Sequence, residues 1–392
     1  EPFGMDKHLR YDAGGVDASF GTAAARWTLS LADGREITCR FWYSCAGYYS
    51  YDEGYLPDIP GLDDFAGIRV HPQSWPEDLD YTDKRIVVIG SGATAVTLVP
   101  ELAKSAAHVT MLQRSPTWIA PLPPTDAIAN VARKYLPPNA AHRLVRSKNI
   151  AFSTAFYQFC KRYPERASRF LNRIATKSLG SEQMVAEHFT PTYNPWDQRV
   201  CVAPDGDLFT VIRSGKAEVV TDTIDRVLPT GVRLASGRVL EADILITATG
   251  LKLQPNGGVP VSVDGTQVIV HDQYVLLGAM VTGIPNYAMA VGYTNASWTL
   301  RADLTSRLVC KVLNWMDERG YDMAVPQPSG PLEPHPLMDL KSGYIQRAEH
   351  ELPLQGAHAP WRMRQNYVLD IATTLRTDLD KYLTGSRARA AV

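Results

Sequence analysis

Residues Arg85-Ile-Val-Val-Ile-Gly90 form a short, continuous apolar run rich in β-branched side chains, the pattern of a strand covered on both faces of a parallel sheet. The run passes directly into Gly90-Ser91-Gly92-Ala93-Thr94-Ala95. A buried strand, a glycine-rich turn and a helix start, in that order, restrict this part of the chain to a dinucleotide-binding βαβ unit. Gly90 permits the tight turn and Gly92 lets the backbone approach a pyrophosphate. Ala93 and Thr94 open a helix whose free N–H groups and positive dipole end suit phosphate. Ala95 is small enough for close helix–sheet packing. The next strand, His108-Val-Thr-Met-Leu112, runs into Gln113-Arg114-Ser115. An NAD site places an acidic residue about 20 residues past the first glycine to hold the ribose hydroxyls. Here Arg114 stands beside Ser115; it is either a surface arginine in a loop or the guanidinium that attracts a 2′-phosphate where a carboxylate repels it, and on the second reading the expected coenzyme is NADPH.

A second feature is an internal echo. Residues 26–47 read as a strand, a turn at Asp33-Gly34, a second strand and then the buried run Phe41-Trp-Tyr-Ser-Cys-Ala-Gly47. Residues 232–250 repeat that plan with a turn at Ser236-Gly237, ending in Asp243-Ile-Leu-Ile-Thr-Ala-Thr249-Gly250. The expected fold class is therefore α/β, with two Rossmann-like dinucleotide-binding domains. The second copy has its glycine-rich turn upstream at Gly90, whereas only a short stub precedes the first. The expectation is an N-terminal truncation on the order of 100 residues, about a domain's worth, with FAD bound weakly or not at all by the polypeptide as it stands.

Bulk properties narrow the function classes. A net charge of −1 gives no global attraction to nucleic acid. Five cysteines, widely spaced and free of C-x-x-C pairs, fit reduced thiols in a cytoplasmic protein and exclude a zinc site, a disulfide framework and a dithiol redox centre. The uncharged stretch Tyr274 to Leu300 is long enough to span a bilayer, but Gly278, Gly283, Pro285 and Gly292 cut it into short strands and turns. The one local charge bias lies between Asp126 and Gly180, where 11 Lys and Arg face two acids. Leu144, Ile150, Phe152, Phe156 and Phe159 recur there at helical spacing, which predicts a helical insertion with a basic outer face. That face is either simply solvated or a contact for a membrane surface or a partner.

Upstream of the glycine-rich turn lies Phe65-Ala-Gly67-Ile-Arg-Val-His71-Pro-Gln-Ser-Trp75-Pro76. By themselves His71 and Trp75 in such a linker read as a hydrogen-bonded histidine and a packed aromatic. The spacing F-x-G-x-x-x-H-x-x-x-W-P resembles the signature of type I Baeyer-Villiger flavin monooxygenases. Trp75-Pro76 differs from the Phe or Tyr ending usual in flavin-containing monooxygenases that oxidise nitrogen and sulfur. Residues 87–100, 111–117, 194–199 and 291–300 extend the likeness, closest to the ethionamide-activating group of that family.

This resemblance implies an enzyme that uses NADPH, FAD and O2 to insert oxygen beside the carbonyl of a small-molecule ketone, with oxidation of sulfur compounds a second reactivity of the same chemistry. It implies that residues 1–64 are the remainder of the first part of a FAD domain, followed by a linker at 65–83, an NADPH domain over 84–250 with a helical insertion at about 121–195, and the second part of the FAD domain with a C-terminal segment over 251–392. Phe65, Gly67, His71, Trp75 and Pro76 take a domain-coupling role. Arg199, closing Trp196-Asp197-Gln198-Arg199, takes the role of the cation that stabilises developing negative charge; read from the residues alone it pairs equally well with Asp197 or Asp205. Thr249 and Gly250 mark the return to the FAD domain. Asn295 or Ser297 caps a helix that either faces the flavin or is simply a capped helix. The competing readings are an enzyme acting mainly on nitrogen or sulfur and a non-catalytic NADPH-binding remnant.

Overall fold

The computed structural model describes residues 4–123, 125–338 and 340–388. The chain divides into two compact units, one built from Glu1–Ser50, Leu253–Asp339 and Ile345–Val392, the other from Tyr51–Lys252 with Leu340–Tyr344.

The first unit opens with an antiparallel meander of β1 (Gly15–Gly21), β2 (Arg26–Leu31) and β3 (Glu36–Cys39), followed by β4 (Trp42–Ser44). Alternation sets which side of the meander is covered: Ala18, Phe20 and Trp27 are fully buried. The Trp27 ring meets Phe20 and Trp42 edge to face, each at 5.2 Å, a favoured aromatic geometry.

The second unit is built on a five-stranded sheet. Its elements begin with β5 (Ile68–Val70), β6 (Arg85–Ile89), α1 (Ala93–Leu102), β7 (His108–Gln113) and β8 (Ile119–Leu122). Four helices follow: α2 (Ala127–Tyr135), α3 (Pro138–Arg162), α4 (Pro164–Leu179) and α5 (Glu182–His188). The chain then makes β9 (Cys201–Pro204), α6 (Asp207–Arg213), β10 (Ala217–Thr221) and a second meander, β11 (Ile224–Leu228), β12 (Gly231–Leu234) and β13 (Val239–Glu241), before β14 (Ile244–Thr247). The sheet order is β10-β7-β6-β14-β5, and every pairing is parallel. Ile86, Val87, Val88, Ile244, Leu245 and Ile246 are all at most 1% exposed, because layers on both faces cover the central strands. β11-β12-β13-β14 and β1-β2-β3-β4 realise the repeated plan, a meander followed by a parallel strand; β4 pairs in parallel with Tyr287–Met289.

The signature segment joins this sheet. Phe65 is 6% exposed in the cluster with Val87, Val227 and Leu245. A Cβ on Gly67 would stand 2.4 Å from the Asp243 carbonyl oxygen, so only glycine lets the chain enter β5 this close to β14. His71 accepts a hydrogen bond at Nδ1 from the Gln73 backbone N–H at 3.2 Å, which places its proton on Nε2, a buried atom without a partner among the described residues. Trp75 packs half-buried against the core of the sheet, and Pro76 is exposed.

Returning to the first unit, β15 (Val261–Val263) runs parallel to β1. Tyr274 to Ser297 then forms short buried strands, including β16 (Tyr287–Met289), and turns. The last large elements are α7 (Trp298–Arg319) and α8 (Tyr367–Arg376).

Candidate functional site

The glycine-rich turn has the geometry that phosphate requires. Gly90 has φ +134°, and a Cβ there would lie 2.3 Å from the Ala248 carbonyl oxygen, so the turn is both left-handed and pressed against the neighbouring strand end. Gly92 is the N-cap of α1 with no side chain closing the helix end, and a Cβ on it would meet nothing within 4 Å. Ala93 and Thr94 are exposed, while Ala95 is fully buried beneath them. The first turn of α1 therefore offers uncapped N–H groups and the positive end of the helix dipole to an anion.

Arg114 and Ser115 follow β7 directly and are exposed, and Arg114 has no ion pair among the described residues. The base of this arm is fixed. Gln113, 2% exposed, donates to the His188 carbonyl at 2.7 Å and to Thr221 Oγ1 at 2.8 Å. His188 Nδ1 shares the same hydroxyl at 2.8 Å. Burial pushes the His188 pKa down, so the ring remains a neutral partner and adds no charge near Arg114.

Arg199 stands at the mouth of the β8/β9 pair, a parallel ribbon of residues about 80 positions apart in which Cys201 faces Ile119. Trp118 Nε1 donates to the Tyr193 carbonyl at 2.9 Å, and the Cys201 N–H donates to the Trp118 carbonyl at 2.8 Å. Thr117, next in line, bonds the Ser91 hydroxyl at 2.8 Å. The loop carrying Arg199 is thus tied, residue by residue, to the turn at Gly90–Gly92. Arg199 is exposed and unpaired among the described residues. Its sequence-adjacent rival partner, Asp197, is taken by Lys161 of α3 at 3.3 Å, so the loop salt bridge that the residues alone allowed does not form with Asp197. Burial raises the Cys201 thiol to about 11 despite the nearby Arg199, which keeps that neighbour neutral as well. A guanidinium without a counter-charge is available to stabilise an anion.

Trp196 supports the loop and was not legible as doing so. It has φ +69°, a conformation that is rare for a bulky residue, and its ring meets Tyr157 of α3 edge to face at 5.6 Å.

Thr249 and Gly250 close β14. The Thr249 hydroxyl donates to the Tyr55 carbonyl at 2.6 Å, and the Gly250 carbonyl accepts from the Tyr55 N–H at 3.0 Å. Thr249 is therefore committed to joining two chain segments. In the other unit, Ser297 holds the N-cap position of α7 but bonds Thr299 at 2.8 Å and does not close the helix end. Asn295 donates to the Gln365 carbonyl at 2.8 Å, and its Oδ1 is buried without a partner among the described residues. An orphaned acceptor beside an uncapped 22-residue helix fits a polar heterocycle with a ring N–H. Among the described residues no group of His, Cys, Asp and Glu forms a metal site, and no helix is long and apolar enough to cross a membrane.

Comparison with known proteins identifies the family. Residues 33–122 match the family model of flavin-binding monooxygenase-like proteins. The chain is 50% identical over 395 aligned positions to the FAD-containing monooxygenase EthA of Mycolicibacterium smegmatis, covering 99% of this chain and 80% of that one. The chain belongs to the flavin-binding monooxygenase family. Solved structures of flavin monooxygenases share its two-domain α/β fold. An oxidised steroid monooxygenase bound to NADP superposes with a TM-score of 0.72 at 20% identity, over 98% of this chain and 82% of the other. Cyclohexanone monooxygenase with bound ε-caprolactone gives 0.73 at 16% identity, over 97% and 81%. As a flavin-binding monooxygenase, the chain is an oxidoreductase whose glycine-rich turn, Arg114 and Arg199 all belong to one compact unit, while Asn295 and Ser297 belong to the other.

Proposed function

We propose that this flavin monooxygenase takes reducing equivalents from NADPH onto FAD and inserts one atom of O2 beside a ketone carbonyl, with sulfur oxidation as a second activity. In this reading residues 84–250 hold NADPH, residues 1–64 and 251–392 contribute to FAD binding, and 65–83 couple the two. The backbone of Ser91 to Thr94 cradles the coenzyme pyrophosphate, with Gly90 and Gly92 giving the approach and Ala95 the packing beneath. Arg114 and Ser115 hold the 2′-phosphate. Thr249 and Gly250 mark the return of the chain to the FAD-binding residues, and Asn295 with the α7 start at Ser297 would help hold FAD. FAD, when bound, supplies the activation of oxygen. The family likeness of Trp75-Pro76, and the lactone held by the cyclohexanone monooxygenase neighbour, support ketone oxidation over nitrogen oxidation.

The observation that carries the reading is Arg199, a cation with no ion pair among the described residues on a loop bonded to the dinucleotide turn. Negative charge develops on the substrate oxygen as oxygen is transferred, and a fixed guanidinium stabilises it. Offering the FAD-loaded enzyme a cyclic ketone and an aryl methyl sulfide tests the assignment: lactone is the expected main product, and turnover of the sulfide alone overturns it.

Coenzyme choice gives a separate test. Arg114→Ala should raise KM for NADPH by about tenfold to a hundredfold, the worth of charge-assisted hydrogen bonds, and leave NADH kinetics unchanged. A wild-type enzyme that prefers NADH refutes the role of Arg114.

A further inference from the structure

We propose that the outer face of the helical insertion docks the enzyme on an anionic lipid surface. The strongest element is α4. Ala167, Leu171, Ala175 and Leu179 are buried and fix its inner side. Arg166, Arg169, Arg173 and Lys177 recur at i, i+3, i+7 and i+11 and are all exposed. At 3.6 residues per turn they fall within one sector of roughly 80° and form a stripe about 16 Å long. None of the four has a carboxylate partner among the described residues; Arg169 reaches only the main-chain oxygen of Glu165, at 3.4 Å. Phe170 flanks the stripe at 47% exposure, and Tyr163 at its start is 48% exposed, with the Arg166 guanidinium 5.5 Å from its ring centre.

The neighbouring helices add apolar surface. The 25-residue α3 buries only Ala141 and Cys160. Leu144 and Phe152 on it are 49% and 61% exposed, and the Phe152 ring stacks on Phe156 at 6.3 Å. On α2, Ile128, Val131 and Tyr135 sit at i, i+3 and i+7 and are exposed.

Charge selects the occupant. Residues 126–180 hold 11 basic and two acidic side chains, a net +9 in a chain whose total is −1, so the remainder carries −10. A molecule polarised in this way turns its basic insertion toward an anionic surface. A second copy docking through the same face would set two such segments against each other. A nucleic acid would satisfy the arginines but leave Ile128, Val131 and Leu144 facing phosphate. A bilayer interface takes both, with headgroup phosphates for the guanidinium groups and the acyl boundary for the apolar side chains. The contact is peripheral, since no helix among the described residues can span a membrane. It is independent of the flavin chemistry.

Co-sedimentation with vesicles decides the matter. The purified protein should bind vesicles of phosphatidylglycerol and phosphatidylcholine in equal parts, should not bind phosphatidylcholine alone, and should be released by salt. Each basic side chain near an anionic surface is worth about fivefold in partitioning, so the double variant R169E/R173E should bind at least about 25-fold more weakly. Phe152→Asp should weaken binding about tenfold through lost apolar burial. All three residues are exposed, so the variants should fold. Equal binding to neutral vesicles, no binding to either kind, undiminished binding by R169E/R173E, or tighter binding to a single-stranded oligonucleotide at the same salt each overturns the proposal.

Discussion

Arg199→Ala should abolish product formation while leaving reduction of the bound flavin by NADPH at its wild-type rate. Removing one electrostatic stabiliser of developing negative charge typically lowers turnover by about 10²- to 10³-fold, or roughly 3–4 kcal/mol of barrier. The effect should fall at the upper end of that range because Arg199 has no ion pair among the described residues to share its charge, and a titratable neighbour, the Cys201 thiol, is held protonated by burial. Lys161 does not take over the role, since it is engaged by Asp197 of the same loop. Coenzyme binding lies at Gly90–Ala95 and Arg114, so stopped-flow reduction under anaerobic conditions should be unaffected and NADPH should then be oxidised without product. Arg199→Lys should recover only part of the activity, because an ammonium keeps the charge and loses the planar fork. Product formation by Arg199→Ala at a rate near wild type removes the residue from the chemistry.

How much of this was legible in the sequence depends on the range of the interaction. The β6–turn–α1 segment is local: an apolar run, two glycines and a small residue at the third position specify strand, turn and helix start without help from elsewhere. The echo between residues 26–47 and 232–250 was visible for the same reason, and both copies fold as a meander followed by a parallel strand.

The surroundings of Arg199 were not legible. They depend on β8 pairing with β9 across about 80 residues, and parallel pairing of distant strands leaves no local mark. Lys161–Asp197 and Thr117–Ser91 are consequences of that register. The left-handed backbone at Trp196 contradicts its local preference, and it is held by packing against Tyr157 and the cluster of Trp118, Leu171 and Val200. On α3, helical periodicity gave the element but not the side on which its apolar stripe faces. Leu144 and Phe152 point to solvent, because a 3.6-residue period marks an amphipathic face whatever covers it.

The largest expected effect on stability lies in the other unit, at a buried polar cluster behind the start of α7. The Arg301 side chain is 3% exposed and donates to the Leu277 carbonyl. It stands 4.0 Å from the carboxylate of Asp370 on α8, itself 5% exposed. That carboxylate accepts from the Tyr293 hydroxyl at 2.9 Å and the Arg364 N–H at 3.2 Å. Burial raises the Asp370 pKa, and Arg301 is the main influence lowering it. Arg301→Met leaves the carboxylate without its cation, a change that costs about 3–5 kcal/mol in such sites and should lower the thermal midpoint by roughly 6 °C or more. The pH dependence follows from the direction of the shift. A carboxyl whose pKa is raised in the folded state binds its proton more tightly there, so its stabilising contribution is complete below the unfolded pKa and is lost as pH rises through the folded pKa. Without Arg301 the folded pKa moves higher still, so the variant should fall further behind wild type at neutral pH than in mild acid. Adding Asp370→Asn should restore part of the midpoint and remove the extra pH dependence, since no buried charge then remains unpaired. An Arg301→Met protein that melts with wild-type midpoint and wild-type pH profile shows that the cluster is not what fastens Tyr293 and the start of α7.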